Sequence, residues 1–214
     1  MVARVNAAAG ALLFAGIGIA ADELRQAFLI NPYGLLFDEI TVDRETGRVL
    51  GVQIVGYEGV DKRIDVFATA ITYGAKAEDL FYLDLAYAPP FSTTKDPVMY
   101  TGMILENAIH GKRPLMTAQE LLRRQEAGEQ VTVIDTRIPA QYEKAHVDGA
   151  NSIPHTEILE AAESLDKDDI IVTYCNKGTT GNAVQNILIN KGFRRVYNLS
   201  GGMKQYTATR KIRK

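Results

Sequence analysis

Cys175 is the only cysteine in the 214-residue chain, and it opens a loop that reads Asn176, Lys177, Gly178, Thr179, Thr180, Gly181. Successive N–H groups of a tightly curled loop, continued by a helix N-terminus, form a concavity for negative charge. A sulfur held there ionises more readily, because the thiolate is stabilised and the thiol is not. The same cup would hold a persulfide anion. Gly178 and Gly181 let the backbone close over the sulfur with no Cβ in the way, and Lys177 adds positive potential. Competing chemistries are less well served. A metal site is not expected, because no second cysteine exists and His110, His146 and His155 show no ligand spacing. A Cys–His hydrolase needs a base close in space, and no local signature supports one. A cysteine phosphatase needs an arginine closing the loop on phosphate, where this loop ends in Thr180 and Gly181. The plain alternative is an inert buried thiol, since free cysteine is among the most buried residue types. The surrounding strand–loop–helix pattern favours the reactive reading.

That pattern is direct. Ile170–Tyr174 is a β-branched run without polar alternation, which fits a parallel strand covered on both faces. After the loop, Ala183, Val184, Ile187 and Leu188 recur at helical spacing, with Gly192 as the stop. Open α/β sheets bind ligands at the carboxyl ends of their strands, where Cys175 lies. Upstream, Thr117-Ala118-Gln119-Glu120 is a capping-box pattern opening a helix that Gly128 ends. Val131–Ile134 is a strand leading to Asp135-Thr136-Arg137, where Asp135 and Arg137 are read as an ion pair or loop anchors. Val196–Leu199 is the last strand, and Gly201-Gly202 turns into a terminal helix with a basic tail.

The first half reads differently. Residues 7–21 form an apolar run too short and glycine-rich for a membrane span; a buried strand or helix is preferred over a secretory leader. Leu35–Val42 and Val49–Val55 flank Asp43–Gly47, a hairpin signal. Val60, Ile64, Phe67, Ala68 and Ile71 share one helical face, with Asp61, Lys62, Arg63 and Asp65 expected on a solvated face opposite and Gly74 as the stop. Asp96 caps a further helix with Pro97 at its first position. Between them, Tyr82, Tyr87 and Phe91 stand beside a stiff proline pair and suit either a core or an interface. Gly111-Lys112-Arg113-Pro114 reads as a linker. The formal net charge of -2 gives no hint of nucleic acid or an anionic membrane as partner. A single cysteine excludes an internal disulfide and suits a reducing, cytoplasmic setting.

Four motifs in order, VIDTR (133–137), AHVDGANSIP (145–154), YCNKGTTG (174–181) and NLSGGMKQY (198–206), resemble a rhodanese domain over about Leu115 to Tyr206. The resemblance implies a parallel five-stranded sheet flanked by helices and sulfur transfer through a persulfide on Cys175. The loop departs from the family pattern, with Asn176 and Thr180 where active members carry arginine, which implies a weaker grip on an anionic donor such as thiosulfate.

Residues 46–71 (TGRVLGVQIVGYEGVDKRIDVFATAI) and 85–98 (LAYAPPFSTTKDPV) are similar to the dimerisation domain of pyridine nucleotide-disulfide oxidoreductases, in particular the coenzyme A-disulfide reductase branch with a C-terminal rhodanese domain. The resemblance implies a smaller α+β domain with an antiparallel sheet, and a homodimer formed through 35–112. It makes Tyr87 the candidate for a tyrosine that reaches the partner's active site. FAD and NAD(P)H are implied for full-length relatives, whose nucleotide-binding domains this sequence lacks, so no cofactor is expected in this chain. The apolar segment 1–34 resembles a remnant of such a domain. The expected organisation is therefore 1–34, a dimerisation domain at 35–112 and a rhodanese domain at 113–214. The expected activity passes sulfane sulfur from a small donor to a thiol or cyanide, with coenzyme A persulfide a candidate partner. The alternative is a non-catalytic dimerisation or coenzyme A persulfide-binding fragment.

Overall fold

The computed structural model describes residues 2–6, 24–30, 37–43, 45–55, 59–89 and 95–212. The chain divides into two compact units, Met1–Gly111 and Lys112–Lys214. The apolar run at 7–21 and Phe91 lie outside the described residues.

In the first unit, strands β1 (Val2–Asn6), β2 (Leu24–Ile30), β3 (Phe37–Asp43) and β4 (Val49–Val55) form an antiparallel sheet ordered β1-β4-β3-β2. The expected break at residue 34 is corrected here. β2 pairs along all of β3 and β1 along β4, so the edges of the central hairpin are covered by strands from the segment expected to stand apart. At the hairpin turn Asp43 Oδ1 accepts from the backbone N–H of Glu45 and Thr46 at 3.1 and 2.7 Å, and Gly47 takes φ 71°.

Helix α1 (Val60–Thr72) buries Val60, Ile64, Phe67 and Ile71, as its spacing predicts. Arg63 is buried with them rather than solvated. Its Nη2 donates to Asp96 Oδ2 at 2.9 Å and its Nη1 to Gly59 O at 3.0 Å, so an opposite charge makes its burial tolerable. After the short α2 (Ala77–Phe81), α3 (Pro97–Ile109) starts as expected: Asp96 accepts from Val98 N–H and Pro97 opens the first turn. Gly102 lets α3 touch α2, since a Cβ there would lie 2.6 Å from Phe81 N. Tyr82 and Tyr87 do not fill this core; they are 78% and 49% exposed.

The second unit is a five-stranded parallel sheet flanked by helices. Its strands are β5 (Leu115–Met116), β6 (Val131–Asp135), β7 (Asn151–Ser152), β8 (Ile170–Tyr174) and β9 (Arg195–Leu199), ordered β5-β9-β8-β6-β7. β8 is central and fully buried. Ile170, Val172 and Tyr174 join a cluster with Leu121, Val133 and Leu199, while Ile171 joins Ile134, Ile158, Val184 and Leu188. This two-faced cover explains the uninterrupted apolar run. The flanking helices are α4 (Ala118–Glu126), α5 (Pro139–Lys144), α6 (Ile158–Ala161), α7 (Thr179–Asn190) and α8 (Gly202–Ile212). Two local expectations change. Thr117 caps α4 by accepting from Glu120 N–H, but the Glu120 carboxylate is taken by Arg123 and Arg124 instead of closing a box. In α7 Ala183 is exposed, and Gln185 is buried because its amide donates to Pro114 O and Val196 O.

Candidate functional site

β8 delivers Cys175 at its carboxyl end, and α7 begins four residues later. Gly178 makes the turn at φ 106°, a left-handed conformation that favours glycine, and its N–H donates to Cys175 Sγ at 3.2 Å. The loop holds this inward arrangement because its carbonyls are tied back elsewhere. Cys175 O accepts from Met203 N–H at 2.9 Å and Asn176 O from Lys204 N–H at 3.4 Å, both at the start of α8. Gly178 O accepts from Asn198 Nδ2 at 3.1 Å, and Gly181 O from the Thr173 hydroxyl at 2.9 Å. Close packing accompanies these bonds. A Cβ on Gly202 would lie 2.3 Å from Cys175 O, and one on Gly181 would lie 2.5 Å from Asn198 Oδ1. With the carbonyls turned away, the N–H side of the loop faces the sulfur.

The electrostatics follow. Burial pushes the Cys175 thiol up, but the Thr180 hydroxyl and the N–H groups of Gly181, Lys177 and Gly178 outweigh it, and the thiol lies below its ordinary value. Lys177 is also held below its usual range, by partial burial and by Lys204, with the Cys175 charge opposing both.

Asp135 and Arg137 are joined in a buried pair at the end of β6, with Arg137 Nη2 2.6 Å from Asp135 Oδ2. Tyr174 OH donates to the same carboxylate oxygen at 2.6 Å and accepts from Val147 N–H at 3.0 Å. Arg137 Nη1 then reaches the loop, donating to Asn176 Oδ1 at 3.1 Å. The pair thus braces the loop at the Asn176 side chain.

A cleft of about 380 Å³ opens over the sulfur. Cys175, Asn176, Lys177, Thr179 and Thr180 from the loop and Arg137 from the β6 end line it. Thr136, Ile138, Gln141 and His155 also line it and were not singled out from sequence. Thr136 and Ile138 come from the loop after β6, Gln141 from α5 that follows it and His155 from the loop after β7, and these strand ends open on the same side of the sheet as Cys175, as the strand-end rule foretells. Tyr87 belongs to the first unit and is not among the lining residues. Among the described residues, no group of three or more His, Cys, Asp or Glu could hold a metal ion, and no helix is long and apolar enough to cross a membrane.

Residues 117–209 match the model of the rhodanese-like domain, and residues 18–97 that of the pyridine nucleotide-disulphide oxidoreductase dimerisation domain. The chain is 41% identical over 73 residues to the thiosulfate sulfurtransferase PspE of Escherichia coli (strain K12), covering 33% of this chain and 69% of that protein. It is 49% identical over 65 residues to an NAD(P)H sulfur oxidoreductase (CoA-dependent) of Pyrococcus furiosus, 30% of this chain but only 14% of that protein. The fold is similar to reduced Bacillus anthracis CoADR-RHD, with a TM-score of 0.77 and 31% identity over 89% of this chain and 34% of that one. A NAD-dependent persulfide reductase from A. fulgidus matches with a TM-score of 0.69 and 30% identity over 86% of this chain and 33% of its own. The chain therefore spans about a third of these two solved proteins.

Proposed function

The chain belongs to the rhodanese family, its rhodanese domain preceded by a disulfide-oxidoreductase dimerisation domain, and on that premise we propose that Cys175 carries sulfane sulfur. The observation that supports this most directly is the bond from Gly178 N–H to Cys175 Sγ inside a loop whose carbonyls are bound from behind. In the first step the Cys175 thiolate attacks the outer sulfur of a donor. The donor's S–S bond breaks and the donor leaves with the electron pair, as a thiolate or, from thiosulfate, as sulfite. The new persulfide carries its charge on the outer sulfur, facing the cleft. In the second step a thiol or cyanide nucleophile attacks that outer sulfur, and the Cys175 thiolate leaves. No net electrons enter, so the cycle runs without a flavin or nicotinamide in this chain.

Lys177 supplies positive charge at the cleft in the absence of a loop arginine, while Arg137 lines it with its charge paired to Asp135. Coenzyme A persulfide is the partner we favour, because the Pyrococcus furiosus relative is named CoA-dependent and the A. fulgidus neighbour a persulfide reductase. We assign the first unit, expected from sequence at 35–112 and here Met1–Gly111, to homodimer formation and Tyr87 to the partner's site. The dimerisation-domain match and the exposure of Tyr73, Tyr82 and Tyr87 support that assignment. A lone reactive thiol suits the reducing cytoplasm. Incubation with polysulfide, thiosulfate or coenzyme A persulfide is expected to add the mass of one sulfur to Cys175, and Cys175→Ser to abolish both the gain and the transfer to cyanide. Transfer undiminished in Cys175→Ser would end the proposal.

A further inference from the structure

Thr136 follows Asp135 at the end of β6 and is wholly buried. Its N–H donates to Tyr174 O at 2.9 Å. Its hydroxyl lies 2.9 Å from the same carbonyl and 3.3 Å from Thr180 Oγ1. The Thr180 hydroxyl shares the cleft with the Cys175 sulfur and is the first of the groups that pull the thiol below its ordinary value.

Each threonine has a single hydroxyl proton, which limits how this chain of groups can be wired. A thiolate only accepts, so Thr180 must donate to it. The Thr180 oxygen is then left to accept, and the hydroxyl within reach is that of Thr136. When the sulfur carries no charge, the Thr136 proton returns to Tyr174 O and Thr180 donates to Thr136. Tyr174 O keeps the Thr136 N–H in both arrangements, so neither leaves a buried carbonyl bare.

We propose that Thr136 is a positioning residue that aims the Thr180 hydroxyl proton at the Cys175 sulfur while that atom is anionic. It takes the proton back once the charge has moved to the outer sulfur of a persulfide. The inner sulfur is thus held most strongly in the two states in which it must be a thiolate, before attack and on release. This proposal rests on the sulfur-carrier reading, but its test does not require transfer.

The charged groups around the sulfur are Arg137 after β6, Lys177 in the loop and Lys204 at the start of α8, and the titratable His155 follows β7. Asp135 lies beneath, paired with Arg137 and Tyr174. All stay in place in the variants, so differences between variants report the two hydroxyls.

The experiment follows the pH dependence of Cys175 alkylation by iodoacetamide in the full chain. Thr180→Val should raise the midpoint by about one pH unit and Thr136→Val by roughly half a unit, each the scale of one hydrogen bond to a charged group. Thr136→Ser should restore the wild-type midpoint. In the Thr180→Val background, Thr136→Val should add nothing, because the relay is already cut. An unshifted midpoint in Thr136→Val, or the same shift with and without the Thr180 hydroxyl, would overturn the proposal. Thr136→Ala carries the same comparison if the valine variant does not fold. Shifted midpoints without any sulfur gained on Cys175 would support the positioning role while refuting the carrier reading.

Discussion

Helices α1 and α7 each start from a left-handed glycine, Gly59 at φ 66° and Gly178 at φ 106°, and neither has a side-chain cap. What each turn closes over is different. At α1 the space where a Gly59 Cβ would stand is taken by Arg63, whose Nη1 lies 1.9 Å from that point, and the guanidinium is neutralised inside the protein by Asp96. At α7 the turn faces Cys175, and what answers the sulfur's charge nearest to hand is a set of neutral dipoles: the Thr180 hydroxyl and three backbone N–H groups. A buried charge with a fixed counter-charge is locked, because removing either partner strands the other. A charge held by dipoles is free to form a bond and come back. The same backbone device therefore builds a structural staple in one unit and a reactive cup in the other.

Arg63→Ala tests the locked end and should have the largest effect. It leaves Asp96 buried without its partner, at a cost of about 3–5 kcal/mol. Chemical denaturation should show the first unit's transition weakened by that amount, with the alkylation midpoint of Cys175 unmoved. A loss below about 1 kcal/mol would mean that Arg63 and Asp96 do not close α1.

Gly202→Ala strikes the cup from behind. The new Cβ would meet Cys175 O at 2.3 Å and Lys177 N at 2.9 Å, all backbone atoms, in a residue at φ 58°. The left-handed conformation alone costs roughly 1–2 kcal/mol, and the loop must also shift. We expect the Cys175 midpoint to rise toward the ordinary thiol range and sulfur transfer to fall by about tenfold or more, the loss of roughly one N–H bond to the anion. Retained transfer with an unshifted midpoint would show that α8 does not shape the cup.

Tyr174→Phe probes the brace under the loop. It removes the donor to Asp135 and the acceptor of Val147 N–H, which should cost about 2 kcal/mol of second-unit stability. Burial first, then the bond to Asp135, hold the Tyr174 hydroxyl well above the usual tyrosine value. The folded value exceeds the unfolded one, so this stabilisation is complete below about pH 10 and is lost as pH rises beyond it. The phenylalanine variant should therefore show a shallower alkaline fall in stability. Equal slopes in the two proteins would contradict this.

The sequence and the structure agree best where local pattern and tertiary context point the same way. β8, the glycine turn and α7 were legible because an unbroken apolar run, a loop rich in glycine and a helical spacing follow one another within 20 residues. Asp135 and Arg137 could be read as an anchor, but their reach to Asn176 could not, since it spans 39 positions. Arg63 was misread because a charge inside an amphipathic helix looks solvated until a partner 33 residues away is found. Asn198, Gly202 and Thr136 fell inside quoted motifs, but their contacts with the loop were not legible, since each acts on it from a distant part of the chain. Gly201-Gly202 was visible as a turn, and only the contact with Cys175 O explains why the second glycine is needed.

Lys177→Gln should give the smallest effect, and it asks how far the cup relies on full charges at all. Lys177 lines the cleft, and its charge is opposed by burial and by Lys204. A partly solvated charge contributes about 0.2–1 kcal/mol, so removing it should slow reaction with an anionic reagent by roughly two- to threefold. Iodoacetate and iodoacetamide separate the two ways in which this can happen. Both rates fall if Lys177 acts by raising the thiolate fraction, whereas only the iodoacetate rate falls if it acts by drawing anions to the cleft. We expect the second pattern, because dipoles already surround the sulfur while a loop arginine is absent. The gap between wild type and variant should then close in about 1 M salt, where screening acts over roughly 3 Å. Equal slowing with both reagents would make Lys177 part of the cup and bring the reactive end closer in kind to the locked one, with a fixed counter-charge at its rim.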